Sequence, residues 1–177
     1  MLSEKLESAL NDQINFEFYS AHIYLSMAAY CLSIDLDGFA NFFTVQAEEE
    51  KFHAMRFFNY LNQKEGRIAL KGMPNPKVDF TSALDVFEIA LLHEKIVTSR
   101  IYSLSDIAME EREHATLSLL KWFIDEQVEE ENNLNTIIKK IKRMGEDSAA
   151  LYMLDTELAA RVFVPPVIAW VHKKTNA

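Results

Sequence analysis

The chain has little of three residue types that shape other kinds of protein. It contains one cysteine, Cys31, among 177 residues, so no disulfide can form within it and a disulfide scaffold is excluded. It contains only four glycines and four prolines, which favours long uninterrupted helices. Apolar residues make up 49% of the sequence, enough for the core of a single domain, which we expect to extend over residues 1–177.

Basic residues are also scarce. The chain has 18 Lys and Arg residues against 27 Asp and Glu residues, which gives a formal net charge of −9. Nucleic-acid-binding proteins usually carry a basic face, so cations or other proteins are the expected partners and nucleic acid is not. The N-terminal residues include acids and no long apolar run. We therefore expect no signal peptide, no membrane span and a cytoplasmic location.

The sequence predicts several long helices. Helical periodicity runs over residues 3–33, and a second helix is predicted over residues 38–65. Ser82 and Asp85 resemble a helix-capping pair, and the stretch after them contains no Gly or Pro up to Met144. A single helix of that length would extend over roughly 90 Å, too long for a compact domain of this size. A turn must therefore interrupt the stretch.

An internal repeat locates this turn. When the chain is shifted by 77 positions, Glu17 coincides with Glu94, and the first turn coincides with residues 110–114. We therefore place the hidden turn at residues 110–114 and interpret the chain as two related helical hairpins. The fourth helix is predicted to end at Gly145, and a short fifth helix is predicted over residues 148–162.

The connection between helices two and three determines the topology. Residues 66–82 contain two glycines and two prolines and are predicted to be a linker. These 17 residues can extend over ~56 Å, more than the ~40 Å length of the second helix. The linker is needlessly long for an up-down-up-down bundle. The predicted fold class is all-α: a four-helix bundle with a long crossover between helices two and three, plus a short C-terminal fifth helix.

Three successive glutamates lie among aromatic residues in the stretch QAEEEKFHAM, residues 46–55. On a helical wheel, Glu50 aligns to within about 20° with the apolar residues of its helix and is predicted to point inward. Glu48 lies about 160° away and is predicted to face solvent. Glu49 lies at the edge of the buried stripe, and His53 lies one turn along on the inner flank. The sequence thus predicts a buried carboxylate beside a histidine.

The other three long helices place polar residues at the corresponding depth. Glu17 and Glu94 interrupt the apolar stripes of helices one and three, and Gln127 and Glu130 interrupt those of helix four. No Lys or Arg aligns with them at that level. Four buried carboxylates would repel one another, and each would cost several kcal/mol of desolvation without a cation. The pattern therefore predicts a metal site.

The ligand types limit the metal. Oxygen-rich coordination with one imidazole suits iron or manganese better than it suits structural zinc, which prefers sulfur-containing sites. The ligand set predicts two adjacent ions: one would be held by Glu17, Glu50 and His53, and the other by Glu94 and Glu130, with Glu50 able to bridge.

Taken together, these residues resemble the ferritin family, specifically its bacterial and archaeal non-heme members. The resemblance covers nearly the whole chain: Glu17, EEEKFH in helix two, the crossover, LLHEK around Glu94, DEQVEEE in helix four and the fifth helix. It implies a hollow homo-oligomeric shell of about 24 subunits. It also implies a ferroxidase centre that oxidises Fe(II) with dioxygen or peroxide and stores Fe(III) mineral in the cavity.

The resemblance also assigns roles to individual residues. It implies three iron sites: Glu17, Glu50 and His53; Glu50, Glu94 and Glu130; and Glu49, Glu126 and Glu129, with Glu130 shared. Gln127 corresponds to a residue beside the first two sites, and Tyr24 corresponds to the redox-active tyrosine of the family.

Two departures separate the chain from neighbouring families. Bacterioferritin and the di-iron oxygenases carry Glu-x-x-His in both halves, whereas this chain has Gln127 and Glu130 in the second, which favours a site that releases its product. Lys51 occupies the position of the heme-ligating methionine of bacterioferritin, so heme is not expected. Two alternative functions remain: a di-iron oxidase or oxygenase acting on an organic substrate, and a purely structural helical protein.

Overall fold

The computed structural model describes residues 2–145 and 147–166, and these residues form five helices without a strand. The helices are α1 (Glu4–Ser33), α2 (Asp37–Gln63), α3 (Ala83–Glu110), α4 (His114–Met144) and α5 (Ser148–Ala159). The all-α prediction is confirmed, although α5 ends at Ala159 rather than at residue 162. No helix of this described part is long and apolar enough to cross a membrane. The remainder of the predicted domain, residues 167–177, lies outside the described residues.

Side-chain oxygens cap the starts of four helices, including α4, where Glu113 accepts from the N–H of Ala115 at 3.3 Å. The Ser3 hydroxyl accepts a hydrogen bond from the backbone N–H of Leu6, and the Ser82 hydroxyl accepts one from Asp85. Asp147 accepts from two N–H groups in the first turn of α5. Each cap satisfies backbone donors that have no partner within the helix. The start of α3 that the sequence predicts at Ser82 is therefore confirmed.

Left-handed backbone conformations follow the first four helices. The φ angles are 58° at Asp35, 61° at Glu65, 55° at Arg112 and 58° at Gly145. Only the last of these is a glycine, the residue that adopts a positive φ without a steric penalty. The hidden turn predicted at residues 110–114 is confirmed, with Arg112 at its centre.

Residues 64–82, which we call the strap, are held against α1 by two asparagines. The Asn11 side chain accepts from the N–H of Ala69 at 2.8 Å and donates to the carbonyl of Arg67 at 2.8 Å. The Asn15 side chain accepts from the N–H of Lys71 at 2.7 Å and donates to the carbonyl of Ala69 at 2.9 Å. One helical turn rises about 5.4 Å and two extended residues about 6.6 Å, so side chains four residues apart can bind alternate strap residues.

The strap runs along α1 and confirms the crossover. Its first part lies beside Glu7, which accepts from the N–H of Arg67, and its later part lies beside Ser26, which donates to the carbonyl of Lys77. The strap thus covers roughly 28 Å of α1, measured at 1.5 Å per residue. It brings α3 to the end of the bundle where α2 begins, so α2 and α3 are parallel.

Two apolar clusters fill the bundle, one toward each end. The first includes Tyr24, Phe43 and Phe87, and the second includes Phe57 and Phe123. On each of the four long helices, the predicted inward glutamate lies in sequence between residues of one cluster and residues of the other. The carboxylates therefore form a polar layer across the middle of the core.

The α5 helix packs closely on the start of α2. A Cβ atom on Gly38 would lie 1.7 Å from the carbonyl oxygen of Asp155, so only glycine fits there. The N–H of Phe39 donates to Asp155 Oδ1 at 3.0 Å, and the Asn41 side chain donates to the carbonyl of Arg161 at 3.0 Å. These contacts fix the residues that follow α5 relative to α2.

Candidate metal centre

Glu17 of α1 and Glu50 and His53 of α2 form a buried group. One potential ligand atom from each residue lies within 4.8 Å of the others. The distance from His53 Nδ1 to Glu50 Oε2 is 3.6 Å. The spacing of three residues brings Glu50 and His53 to the same face of α2. Two carboxylates and one imidazole are thereby placed where they could hold one divalent cation.

Two oxygen atoms of this group lack a hydrogen-bond partner. Glu17 Oε2 and Glu50 Oε2 are buried and unpartnered within the described residues, and their side chains belong to residues that are 0% and 1% exposed. A buried carboxylate oxygen without a partner is strongly unfavourable. A bound cation would remove this penalty, and the donor set of hard oxygens plus one imidazole fits iron.

Glu94 of α3 and Glu130 of α4 are also buried, and neutral donors hold both of them. Gln127 Nε2 donates to Glu94 Oε2 at 2.8 Å, and Gln46 Nε2 donates to Glu130 Oε2 at 2.8 Å. Neither glutamate belongs to the close group formed by the ligand atoms described above. All four inward glutamates therefore lie in the core. Side-chain amides bind Glu94 and Glu130, whereas Glu17 and Glu50 each keep one oxygen without a partner among the described residues.

Burial changes the acid–base properties of these carboxyl groups. Burial raises the pKa of Glu17 well above its usual range, and the negative charge of Glu50 raises it further. The pKa values of Glu50 and Glu130 are raised well above the usual range by burial and then by the charge of Glu94. Without a cation these carboxyl groups therefore hold their protons to higher pH than ordinary glutamates do, and a metal ion that binds them displaces the protons.

Tyr24 and Gln127 both form hydrogen bonds with Glu94, which is a predicted metal ligand. The Tyr24 hydroxyl donates a hydrogen bond to Glu94 Oε1, and burial followed by the charge of Glu94 raises the pKa of the tyrosine. The Tyr24 ring stacks on Phe43 with 6.1 Å between ring centroids. Together with the amide of Gln127, the tyrosine fixes the orientation of the Glu94 carboxylate.

The predicted third group lies at the edge of the layer. Glu49 and Glu126 are half-buried and Glu129 is exposed. Glu49 Oε2 forms an ion pair of 2.5 Å with the Nη2 atom of Arg161, which follows α5. The prediction concerned only inward-facing Lys and Arg, so this arginine at the edge of the site adds to the prediction rather than contradicting it. The inward stripes of the four long helices could not show this arginine because it lies outside them.

Two glutamines that the sequence did not single out as site residues hold the carboxylates. Gln13 Nε2 donates to Glu17 Oε1 at 2.8 Å, and Gln46 Nε2 lies 3.4 Å from Glu50 Oε1. Each glutamine precedes its glutamate by four residues, so both pairs share one helix face. This repeated Gln-x-x-x-Glu spacing is the sequence signal that could have identified them.

An arginine orients each of these glutamines. Arg100 Nε donates to Gln13 Oε1 at 3.0 Å, and Arg161 Nη1 donates to Gln46 Oε1 at 2.9 Å. Each guanidinium also lies over a phenylalanine ring, at 4.2 Å from the centroid for Arg100 and 4.3 Å for Arg161. Because each arginine binds the amide oxygen, each amide nitrogen is directed toward a carboxylate.

Comparison with known sequences gives consistent relatives. Residues 7–144 match the family model of the Ferritin-like domain. The bacterial non-heme ferritin of Staphylococcus aureus (strain USA300) is 48% identical over 163 residues, covering 92% of this chain and 98% of the relative. The bacterial non-heme ferritin of Staphylococcus haemolyticus is 47% identical with the same coverage.

Solved structures agree with the sequence relatives. The open-pore ferritin of the hyperthermophilic archaeon Archaeoglobus fulgidus superposes with a TM-score of 0.90 at 45% identity, covering 91% of this chain and 99% of that one. An engineered closed form of the same ferritin gives a TM-score of 0.91 at 46% identity, covering 93% and 100%. The family match, the sequence identity and the fold therefore agree that this chain belongs to the ferritin family.

Proposed function

We propose that this protein stores iron by oxidising Fe(II) at the carboxylate–histidine layer and retaining Fe(III) mineral inside a shell of its own copies. The observation that carries the proposal is the pair of buried, unpartnered oxygens on Glu17 and Glu50 beside His53. The relatives' name, bacterial non-heme ferritin, supports iron as the ion and a centre without heme. Iron is the substrate of this reaction and leaves the centre as product.

Two Fe(II) ions would occupy the layer together. Glu17, Glu50 and His53 would bind the first, and Glu50, Glu94 and Glu130 the second, with Glu50 bridging. Each Fe(II) gives up one electron, and dioxygen accepts both electrons and two protons to become hydrogen peroxide. If hydrogen peroxide is the oxidant, it accepts two electrons and two protons and becomes two water molecules. Carboxyl groups with raised pKa values release their protons as the ions bind.

The second half of the layer is suited to releasing its product. Glu130 occupies the position where an imidazole ligand would complete the second iron site, and Gln127 occupies the position of a bridging carboxylate, with its amide engaged with Glu94. An ion held only by carboxylates is bound less selectively than one held by a histidine as well. We therefore assign the second site to turnover rather than to a permanent metal cofactor.

The edge of the layer provides a route onward for iron. Glu49, Glu126 and Glu129, with Glu130 shared, form a third and more exposed iron site in this proposal. Burial raises the pKa values of Glu49 and Glu126, and the negative charges of Glu126 and Glu129, respectively, raise them further. An ion at this edge lies between the buried layer and solvent.

Apolar residues on the outer face of α3 support assembly into a shell. Leu92 and Ile96 are 60% and 52% exposed, and they lie on the same face of the helix because they are four residues apart. Exposed apolar side chains in one patch favour association between copies. We propose about 24 copies and a cytoplasmic location, in keeping with closed symmetric assemblies. A sizing run followed by aerobic Fe(II) addition tests whether a hollow particle develops a dense core.

Neither alternative function explains the layer as well. A purely structural bundle would not leave carboxylate oxygens of Glu17 and Glu50 buried without partners. A di-iron oxidase acting on an organic substrate would hold its metal permanently, and the second half of this layer lacks the imidazole for that role. Metal titration of the purified protein separates the structural alternative from the proposed one.

Pre-bound zinc is expected to inhibit aerobic Fe(II) oxidation. Zn(II) suits the same glutamate and histidine ligands but cannot give up an electron. Two equivalents of Zn(II) per subunit should lower the initial oxidation rate by about tenfold or more, as followed by the absorbance of Fe(III). Mg(II) serves as the control, because it prefers an all-oxygen octahedral site and should leave the rate nearly unchanged. Oxidation kinetics that are indifferent to zinc would count against this centre.

Replacing Glu49, Glu126 and Glu129 together by alanine is expected to preserve the first rapid oxidation of about two Fe(II) per subunit. The same variant should change the ratio of iron oxidised to oxygen consumed and slow the transfer of iron into the cavity. Stopped-flow absorbance and an oxygen electrode measure the two effects. Glu48→Ala, which removes an exposed acid from the opposite face of α2, is the control. An unchanged ratio and unchanged turnover would mean that the three glutamates are only surface acids.

A further inference from the structure

Arg161 connects the end of α5 to the metal centre. Its guanidinium makes three contacts with one face of α2: Nη2 to Glu49 Oε2 at 2.5 Å, Nη1 to Gln46 Oε1 at 2.9 Å, and Nη1 to the carbonyl of Phe42 at 3.2 Å. The side chains of Arg161 and Glu49 are 22% and 18% exposed. The ion pair is therefore partly screened from water and stronger than a pair on an open surface.

The position of Arg161 is fixed by contacts on both sides of it. The Asn41 side chain donates to the carbonyl of Arg161 at 3.0 Å, and it also donates to the carbonyl of Leu158 at 3.1 Å. Two residues further on, the ring of Phe163 packs on Phe52 with 5.7 Å between centroids. Because these contacts hold the chain on both sides of Arg161, the guanidinium has one preferred position beside α2.

In that position the guanidinium contacts Glu49, a ligand of the proposed third iron site. Glu49 supplies an oxygen to Arg161, and the same carboxylate would have to supply an oxygen to an iron ion bound with Glu126 and Glu129. Arg161 already contacts Glu49 Oε2, and a guanidinium and a divalent ion beside the same half-buried carboxylate repel each other, so each weakens the binding of the other. A metal ion and the guanidinium therefore compete for Glu49.

We propose that Arg161 is a built-in cation of the third site, which pairs with Glu49 when no metal is present and has to be displaced when a divalent metal ion binds there. The proposal rests on the third site of the proposed function and deepens it. Arg161 is a positioning residue, because it also sets the orientation of the Gln46 amide that holds Glu130 and Glu50. Metal binding at the third site is thereby coupled to the packing of residues 160–163 against α2.

This coupling acts in both directions. If Arg161 weakens metal binding at the third site by a given factor, metal binding must weaken the contact between Arg161 and Glu49 by the same factor. Two independent measurements follow: the affinity of the third site in arginine variants, and the protection of the segment after α5 in the metal-loaded protein.

The affinity is measured by titrating the assembled, metal-free protein with Zn(II) in a calorimeter. Arg161→Gln should tighten the third binding step by about tenfold or more and change the first two steps much less, because Arg161 acts on their ligands only through the Gln46 amide. Arg161→Lys, which keeps the charge but has no fork to bind Gln46 and Glu49 together, should give an intermediate affinity. Arg143→Gln removes an exposed arginine that lies at the end of α4 and is the charge-matched control. Adding Glu49→Gln to Arg161→Gln should abolish the gain.

The protection is measured by hydrogen exchange of the backbone amides of residues 159–163. Saturation with Zn(II) should speed their exchange in the wild type, whereas Glu49→Gln should show no such response to zinc. This readout does not depend on oxidation activity, and a merely structural arginine would not produce it.

The possible outcomes distinguish a failure of the role proposed for Arg161 from a failure of the metal centre. A third step with equal affinity in wild type and Arg161→Gln, or no third step in either protein, overturns the role of Arg161 as a competing cation. Unchanged or slower exchange of residues 159–163 on zinc saturation overturns the coupling. Loss of the first two binding steps from the wild type would instead contradict the metal centre itself, whatever Arg161 does.

Discussion

Glu50→Gln is expected to lower the initial rate of Fe(II) oxidation by about 100-fold or more while leaving the metal-free protein at least as stable as the wild type. Glu50 lies in the close group with Glu17 and His53, and it is the one residue assigned to both iron ions. Glutamine has nearly the same shape as glutamate but cannot bridge two cations as an anion. The variant therefore removes the proposed shared ligand and, at the same time, a carboxyl group whose ionised form the metal-free core tolerates poorly.

The stability of the metal-free protein should also depend less on pH in this variant. Burial raises the pKa of Glu50 well above the value of 4.5 that applies to an ordinary glutamate. Between 4.5 and the raised value, the folded protein binds more protons than the unfolded chain, so the free energy of unfolding falls as the pH rises. Glu50→Gln removes this contribution. Its stability should therefore decline less than that of the wild type as the pH rises above the ordinary value.

Thermal unfolding of both proteins, with and without Zn(II) and at one protein concentration, measures these effects. Zinc should raise the midpoint of the wild type by mass action and raise that of Glu50→Gln by much less. Glu48→Gln is the matched control, since it removes a neighbouring but exposed acid. A metal-free Glu50→Gln protein that is clearly less stable, with its zinc-induced gain intact, would show that Glu50 is a structural residue and that the metal binds elsewhere.

Gly38→Ala is expected to lower the free energy of unfolding by about 2–4 kcal/mol. The added methyl group would lie 1.7 Å from the carbonyl oxygen of Asp155 and 2.5 Å from its carbonyl carbon. Backbone atoms cannot turn aside as a flexible side chain can, so α5 would have to move away from α2. That movement would weaken the hydrogen bonds from Phe39 to Asp155 and from Asn41 to the end of α5.

The strap offers a matched control for this substitution. Gly72→Ala adds the same methyl group at a position with no heavy atom within 4 Å, and it should change stability by less than about 0.5 kcal/mol. Urea unfolding of both variants beside the wild type gives the comparison. Equal stabilities for the two variants would mean that α5 is not held tightly against α2.

Much of the fold could be predicted because the sequence carries local and repeated signals. The turn at residues 110–114 contains neither Gly nor Pro, yet the internal repeat located it by its correspondence with the first turn. The length of residues 66–82 implied the crossover, since a chain of that reach is not needed between neighbouring antiparallel helices. Ser82 predicted the start of α3 because its hydroxyl can replace a missing helical partner.

The inward glutamates could be predicted for a similar reason. A helix has a fixed angular step, so the faces of Glu17, Glu50, Glu94 and Glu130 follow from the apolar residues around each of them. All four are buried, as is His53. The assignment of individual ions to these ligands is a proposal, because it depends on the ions themselves rather than on the faces of helices.

The arginines of the site could not be predicted in this way. Arg161 lies beyond α5 and reaches Glu49 from outside the four long helices, so no periodic pattern connects the two residues. Arg100 reaches Gln13 from a different helix, and its contact depends on the angle and separation of α1 and α3. Contacts between elements depend on packing geometry, which neither residue spacing nor composition specifies.

Asn11 and Asn15 hold the strap by its backbone, so the path of the strap does not depend on which side chains the strap carries. Both asparagines bind backbone N–H and carbonyl groups, which nearly every residue type provides. Evolution can therefore vary the strap side chains at Arg67, Ala69 and Lys71 while the chain keeps its course. The sequence requirement lies in α1 instead, where two asparagine side chains must be one helical turn apart. Substitutions in the crossover should accordingly accumulate faster during divergence than substitutions at the two asparagines that hold it.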